Sequence, residues 1–402
     1  MHTMMHARTL AAHLIQERVL NPGEHDSQAW LAALQTVPRY PFVPTRAWAE
    51  PRDNRQPHLI DRDAAPAHWW EALYSDTTIV TQRGDGAAQI DDIAAPATSS
   101  LSCPRIALQM LRLLNLTKDH EHQQDVLEIG TGTGWTAAML DWRTGAAGRV
   151  TTLEVDERIA AQARDNLAYC GRGTVNVVTG DGTHGHFRGT AYDRVHVTCG
   201  VRDIPYAWVE QTRPGGVIVA PWMPAHGQWG ELLQLLVRGD GTAMGRFHAH
   251  ARFMMLRTQR VPRHWPPYDG PSIQSAGTVP PRLTTLRDAG FGLFLAMAAP
   301  HLVVTDVGLE EITGRGLVYT MRLRELGGDS WAVAAASREL GPVDVRQGGG
   351  PRRLWDELEA AHTSWRRAGM PGREQFGMTV SAGGQRLWLD NPNQPQGEDP
   401  YR

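Results

Sequence analysis

Val126-Leu127-Glu128-Ile129-Gly130-Thr131-Gly132-Thr133-Gly134-Trp135 is the stretch on which the reading of this chain turns. An apolar run of strand length ends in three alternating glycines. An apolar helical pattern follows at Ala137, Ala138, Met139, Leu140 and Trp142. That order predicts a strand, a tight turn and a helix. Glycines in such a turn accept φ > 0 and let a ligand approach the main chain. The spacing is G-x-G-x-G, not the G-x-G-x-x-G of dinucleotide folds. On its own it admits a ligand-binding turn or a plain tight turn.

The segments downstream extend the pattern. Arg149-Val150-Thr151-Thr152-Leu153-Glu154 reads as a second strand ending in a carboxylate. It stands about 20 residues beyond the glycines, where an acid at the end of strand two can meet ribose hydroxyls. A helix from Asp156 to Tyr169 places Ile159, Ala163 and Leu167 on one face. Val175-Asn176-Val177-Val178 is a third strand that runs into Gly180-Asp181-Gly182. Tyr192 to Thr198 is a fourth, and Pro214-Gly215-Gly216 turns into a fifth ending at Pro221. Strands alternating with helices predict an α/β fold, a doubly wound parallel sheet with its site at the carboxyl ends of the strands. Glu128, Glu154 and Asp181 all fall at such ends.

Further stretches carry a resemblance. They are Val37-Pro38-Arg39-Tyr40-Pro41-Phe42-Val43-Pro44, Tyr74-Ser75-Asp76, Ser100-Leu101-Ser102-Cys103-Pro104, the glycine motif, Gly180-Asp181-Gly182 and Tyr192-Asp193-Arg194. Together they resemble a class I S-adenosylmethionine-dependent methyltransferase of Rossmann-like fold, and most closely the protein-L-isoaspartate O-methyltransferases. The resemblance covers residues 28–258. It implies S-adenosyl-L-methionine as cofactor and S-adenosyl-L-homocysteine as product. It implies a cofactor site of Glu128, Gly130, Thr131, Gly132, Gly134, Glu154, Asp181 and Gly182, with Glu154 on the ribose, Asp181 facing the adenine amino group, and Glu128 acting through the glycine loop or a water, or serving structure alone. On the acceptor side it implies Ser100 and Ser102, whose hydroxyls would hold the target carboxylate or its neighbouring amide. A helix cap before Pro104 is the competing reading of Ser102. One departure stands out: the family runs from the equivalent of Asp76 almost directly into a Gly-Gln-Thr-Ile-Ser-like segment. Here Ser99-Ser100-Leu101-Ser102 replaces it, behind an insertion.

Composition bounds the remaining classes. At 402 residues two or three domains fit. With 41% hydrophobic and 21% charged residues, a sizeable core can form. A net charge of −3 gives no general footprint for nucleic acid. Cys103, Cys170 and Cys199 have no paired spacing, and His184, His186 and His196 lack metal-ligand spacing, so neither a disulfide framework nor a metal site is expected. No stretch reaches the length of a membrane span. A cytoplasmic protein without membrane partners is therefore expected. The oligomeric state is not readable.

Along the chain, residues 1–75 read as an N-terminal helical segment, helical from 4 to 36 and ending at Val37-Pro38. Residues 51–68 and 82–99 read as loops. Residues 76–260 are the methyltransferase domain and 261–285 a Pro-rich linker with Trp265 and Tyr268. Residues 286–402 are an additional C-terminal α+β domain. In it, 353–367 reads as a helix, and Met378–Val380 with Arg386–Leu389 as a hairpin. This last third looks foreign to the repair enzymes. Leu354-Trp355-Asp356, Gly372-Arg373, Gln375 to Val380 and Leu387 to Asp390 look like the extension of relatives that modify ribosomally made peptides in lanthipeptide or graspetide (ATP-grasp) pathways.

Three functions follow as expectations. The first is an O-methyltransferase acting on an aspartate side chain of a modified, cyclised precursor peptide, leading to an aspartimide (succinimide) and then isoaspartate. The second is repair of isoaspartyl proteins. The third is a non-catalytic peptide-binding module that keeps the fold.

Overall fold

A computed structural model describes residues 2–116, 124–187, 191–225, 230–261, 267–268, 270–280, 286, 288–312, 316–337 and 342–393. Packing divides the chain into two compact units. One comprises Met1–Cys199, Pro205–Ala220 and Gln234–Thr242, and the other Gly200–Ile204, Pro221–Leu233 and Ala243–Arg402.

The first unit opens with two helices, α1 (His2–Gln16) and α2 (His25–Thr36), where one helical stretch was expected. Pro22 and Gly23 fall in the gap, and neither suits a helix interior. Four short strands follow: β1 (Arg46–Pro51), β2 (His58–Asp61), β3 (Thr77–Arg83) and β4 (Ala97–Leu101), with helix α3 (Pro66–Leu73) between the second and third. They pair in the order β2-β1-β3-β4, so β4 is an edge strand. The segments 51–68 and 82–99 therefore hold β2 and β4 as well as loops.

After α4 (Pro104–Leu113) the chain enters the parallel sheet. It runs through β5 (Asp125–Ile129), α5 (Trp135–Thr144), β6 (Arg149–Glu154), α6 (Glu157–Tyr169), β7 (Asn176–Thr179), β8 (Tyr192–Val197), α7 (Tyr206–Glu210) and β9 (Thr212–Trp222). The order is β7-β6-β5-β8-β9, and all four pairings are parallel. The strand order reverses at β5 and β8, whose carboxyl ends frame the crevice of such a sheet. All five β5 residues are buried, as expected of a strand covered on both faces. Trp30, Trp69, Trp135 and Trp208 are among its largest fully buried side chains.

The chain passes between the units within β9 and β10 (Gly230–Val237). The second unit has a three-stranded antiparallel portion, β11 (Ala243–Ala251), β17 (Phe376–Ser381) and β18 (Gly384–Leu389). It also has a five-stranded sheet of order β12-β16-β15-β14-β13, built from β12 (Ser272–Gly277), β13 (Leu302–Ile312), β14 (Gly316–Glu325), β15 (Trp331–Ser337) and β16 (Val343–Gly348). Helices Ala289–Ala298 and Leu354–Arg367 belong to it. The second buries Leu354, Trp355, Leu358, Ala361 and Trp365.

The expected boundary near 260 is not a packing boundary, because β11 is hydrogen-bonded to β17 over a hundred residues later. The expected linker contains a strand. β12 pairs with β16 along its whole length, yet its side chains are almost all exposed, so no apolar alternation marks it. Trp265 lies outside the described residues. Among the described residues no helix is long and apolar enough to cross a membrane.

Candidate active site

The glycine turn is fixed from below by β6. Leu153 O accepts from both Gly130 N (2.8 Å) and Thr131 N (3.1 Å). Gly134 N closes the turn on Thr131 O at 3.0 Å, and Asn166 Nδ2, from α6, donates to Thr133 O at 2.9 Å. Gly130 has φ of +92°, and a Cβ there would stand 2.5 Å from Thr198 Oγ1. Thr198 itself donates to Ile129 O at 3.0 Å and to Gly130 O. The end of β8 is thereby tied to the start of the turn. Thr198 does structural work here.

Glu128, expected in the cofactor site through the glycine loop or a water, lies beneath the turn with no exposed surface. It accepts from Thr152 Oγ1 (2.8 Å) and faces His196 Nδ1 (3.1 Å), and Thr152 Oγ1 lies 2.7 Å from Thr131 Oγ1. Glu128 thus acts on the turn through Thr152 and Thr131. It has no surface from which to touch a ligand. The hydroxyl of Thr131 faces inward for the same reason. Gly134 serves packing, since a Cβ there would press on Leu167 of α6 at 3.3 Å.

Glu154 ends β6 half-buried. Its Oε2 accepts from Gly132 N (2.9 Å) and its Oε1 from Asp156 N (3.1 Å). Asp181 follows β7 and accepts from Thr183 N (2.9 Å) and Thr183 Oγ1 (2.7 Å), both on Oδ1. Gly182 packs so tightly that a Cβ would meet Ile129 Cγ2 at 2.4 Å, and its carbonyl accepts from Trp208 Nε1 at 2.8 Å.

The Ser99–Ser102 segment, expected on the acceptor side, comes to the glycine turn from the other sheet. A Cβ on Gly132, where φ is +53°, would stand 3.5 Å from Ser100 O and 4.0 Å from Ser99 Oγ. The glycine turn and β4 therefore face each other across a gap that a side chain at 132 would begin to fill. Ser100 and Ser102 are both half-buried. Ser102 is not the helix cap: Cys103 occupies the N-cap position of α4, without a side-chain cap bond. The cap comes from Asp76, which accepts Arg105 N (3.0 Å) on Oδ1 and Arg105 Nε (2.9 Å) on Oδ2.

Arg39 joins the two sides. It is buried, donates from Nη1 to Ser102 O (3.2 Å) and from Nη2 to Thr77 O (3.5 Å), and lies 4.4 Å from the ring centroid of Trp135, the first residue of α5. Burial lowers its guanidinium to about 10, with Cys103, Tyr74 and Asp76 pulling the other way. It remains a cation at neutral pH.

Comparison with known proteins agrees with this geometry. The profile of the family described as protein-L-isoaspartate(D-aspartate) O-methyltransferase (PCMT) matches residues 58–260, half of the chain. This chain belongs to the protein-L-isoaspartate(D-aspartate) O-methyltransferase family. A protein-L-isoaspartate O-methyltransferase of Methylibium petroleiphilum is 30% identical over 254 residues, covering 62% of this chain and 79% of the relative. One from Pyrococcus horikoshii is 34% identical over 170 residues, covering 42% and 74%. A solved protein-L-isoaspartate O-methyltransferase aligns with TM-score 0.53 at 20% identity, over 96% of this chain and 100% of its own. It supports the fold. The chain is an enzyme of this family, a class I carboxyl methyltransferase that uses S-adenosyl-L-methionine.

The residues present suit that cofactor. The positive-φ turn leaves room at Gly132, and carboxylates stand at the ends of β6 and β7.

Proposed function

We propose that this enzyme esterifies an aspartate side-chain carboxylate in a ribosomally made, cyclised peptide. The observation that carries the acceptor side is the approach of Ser100 O to Gly132. It brings the Ser99–Ser102 segment against the turn where the cofactor would lie; Glu154 and Asp181 are its proposed ribose and adenine ligands. Bound there, S-adenosyl-L-methionine supplies a methyl group on a sulfonium.

The chain's own residues have a small task. An aspartate is ionised at neutral pH, so no general base is needed. The protein has to align one carboxylate oxygen with the methyl and keep water away. Ser100 and Ser102 hydroxyls hold the acceptor, and Arg39 fixes the strand that carries them through Ser102 O. In the product ester, the next residue's amide nitrogen attacks the carbonyl carbon and methanol leaves, closing a succinimide. Water then opens it to isoaspartate or aspartate.

Two features support a dedicated peptide substrate. By the resemblance, the Ser99–Ser102 segment departs from the family pattern behind an insertion, and the family profile stops at residue 260. Repair of isoaspartyl proteins is the second reading, favoured by the relatives' shared name and by the solved namesake that spans 96% of this chain.

Mass spectrometry separates them. The full chain is given S-adenosyl-L-methionine with the cyclised precursor or with a generic isoaspartyl peptide. Gain of one methyl and then loss of methanol on the cyclised precursor alone supports tailoring. Methylation of the isoaspartyl peptide alone overturns it in favour of repair. Failure on both while S-adenosyl-L-homocysteine binds overturns both readings of the acceptor.

A further inference from the structure

The small sheet carries two bulges beside the glycine turn. Val80 pairs with Ser100 and Gln82 with Ser99, which leaves Thr81 as an extra residue on β3. Arg83 pairs with Ala97, which leaves Thr98 as an extra residue on β4. A bulge bends its strand and re-aims a side chain. Here Thr81 Oγ1 donates to Ser99 Oγ at 3.1 Å, and Thr98 Oγ1 to Gln82 Oε1 at 2.8 Å. The Gln82 side chain then reaches beyond its own sheet: Nε2 donates to Asp156 Oδ2 at 3.3 Å. The neighbours fix which way the amide points. A carboxylate only accepts, and the Thr98 hydroxyl already accepts from Asp85 N (3.1 Å), so its proton goes to Gln82. Gly86, with φ of +87°, lies against the amide, and a Cβ there would stand 3.2 Å from Gln82 Nε2.

Asp156 does not need this bond to hold its helix. It is the N-cap of α6, and its other oxygen, Oδ1, accepts Arg158 N (3.1 Å) and Ile159 N (3.3 Å). Its own N–H goes to Glu154 Oε1, and the second oxygen of Glu154 takes Gly132 N. Gln82 is therefore one member of an unbroken run of hydrogen-bonded residues: Thr98, Gln82, Asp156, Glu154 and Gly132. One end of the run adjoins the Ser99–Ser102 segment. The other is the glycine turn and the carboxylate proposed for the ribose. Hydrogen bonds in such a run polarise one another.

We propose that Gln82 is a positioning residue that couples occupancy of the cofactor site to the placement of the acceptor strand. A cofactor held on Glu154 fixes Asp156, Asp156 fixes Gln82, and Gln82 fixes Thr98 and with it the Ser99–Ser102 segment. By linkage, an acceptor on that segment tightens binding at the cofactor site by the same factor. Gln82 acts through Thr98 and Asp156, apart from the reacting atoms. This rests on the carboxyl-methylation reading, with β4 on the acceptor side.

The test uses the whole chain, S-adenosyl-L-homocysteine and two acceptor peptides. One peptide is linear with a central isoaspartyl residue. The other is side-chain-cyclised with a central aspartyl residue. With whichever peptide is methylated, calorimetry should find the homocysteine product bound about fivefold tighter when that peptide is saturating, the lower end of ordinary coupling between two sites. Gln82→Met keeps the length of the side chain without the amide. It should reduce the factor to about one and raise the peptide KM by about fivefold, while affinity for the product without peptide changes less than about twofold. Asp156→Ser keeps a helix cap of similar quality but does not reach Gln82, so it should do the same. The double variant should be no worse than either single one, because all three lose the same bond. Thermal melting checks that each variant is folded, and either one suffices. A factor of one in the wild type, a factor that survives both substitutions, or a double variant whose KM rises by the product of the two single rises overturns the proposal and leaves Gln82 a structural group. A wild type that binds the homocysteine product but methylates neither peptide overturns the carboxyl-methylation reading itself, and this inference with it.

Discussion

Gly132 N donates to Glu154 Oε2 at 2.9 Å, so the middle of the glycine turn is held by the carboxylate that ends the neighbouring strand. The same carboxylate takes Asp156 N on its other oxygen. Glu154 therefore shapes the turn, whether or not it also serves as the proposed ribose ligand. Glu154→Ala removes an acceptor from two backbone N–H groups and should cost about 1–2 kcal/mol of stability in urea unfolding. If the carboxylate also holds the cofactor, affinity for S-adenosyl-L-homocysteine by calorimetry should fall about 10- to 100-fold, the equivalent of about 1.4–3 kcal/mol. Unchanged affinity alongside lost stability would restrict Glu154 to shaping the turn.

Gly130 and Thr198 should be coupled in the same way. A side chain at 130 meets both a positive φ and the Thr198 hydroxyl. Gly130→Ala is expected to destabilise by about 1–3 kcal/mol, the range for a non-glycine residue held in such a conformation. Adding Thr198→Ala should return only the steric part, because the backbone strain stays. A double-mutant cycle in urea measures that coupling. Fully additive effects would mean that the clash plays no part.

The sheet was legible because its strands are apolar runs punctuated by glycine, with helices between them. What escaped has a common cause. β4 reads Ala-Thr-Ser-Ser-Leu, too polar and short to stand out, and only its pairing with β3 makes it a strand. Ser102 before Pro104 had the look of a cap, but the cap comes from Asp76, 29 residues before Arg105. Glu128 sits at a strand end beside the glycines, where an acid can touch a ligand, act through the loop or serve structure alone. Only the register that sets it opposite Thr152 and His196 shows that it is buried. Arg39 lies in a recognised motif, yet nothing local says that it reaches Ser102, 63 residues away. Local pattern gave the frame. The contacts that shape the site are long-range.

Tyr74 gives a pH signature. Burial pushes its phenol up to about 12, against the pull of the nearby Arg39 cation, with the Tyr40 phenol adding to the rise. An unfolded tyrosine ionises near pH 10. The neutral phenol's share of stability is therefore complete below that pH and is lost as pH rises toward 12, because the unfolded state releases its proton first. The urea midpoint should drop between about pH 10 and 12 in the wild type and drop less in Tyr74→Phe. Parallel curves for the two proteins would remove Tyr74 as a source of the alkaline loss.

Arg39 gives the most direct test of the link between the two sides of the site. Its guanidinium bonds Ser102 O and stacks on Trp135, while Trp135 Nε1 donates to Val37 O at 3.4 Å. A lysine keeps the charge but has no planar fork to stack and bond at once. Arg39→Lys should leave the cofactor-side turn formed, since its other bonds come from Leu153, Glu154 and Asn166. The acceptor strand would lose its tether. A displacement of about 1 Å in a positioned reactant costs up to about 100-fold in rate. The expected result is a 10- to 100-fold fall in kcat for methyl transfer, with affinity for S-adenosyl-L-homocysteine changed less than about threefold. Arg39→Ala would also leave a cavity beside Trp135 and is expected to lose about 2–5 kcal/mol, so lysine is the informative substitution. If Arg39→Lys weakens product binding as much as it slows turnover, Arg39 supports the whole unit and does not position the acceptor strand in particular.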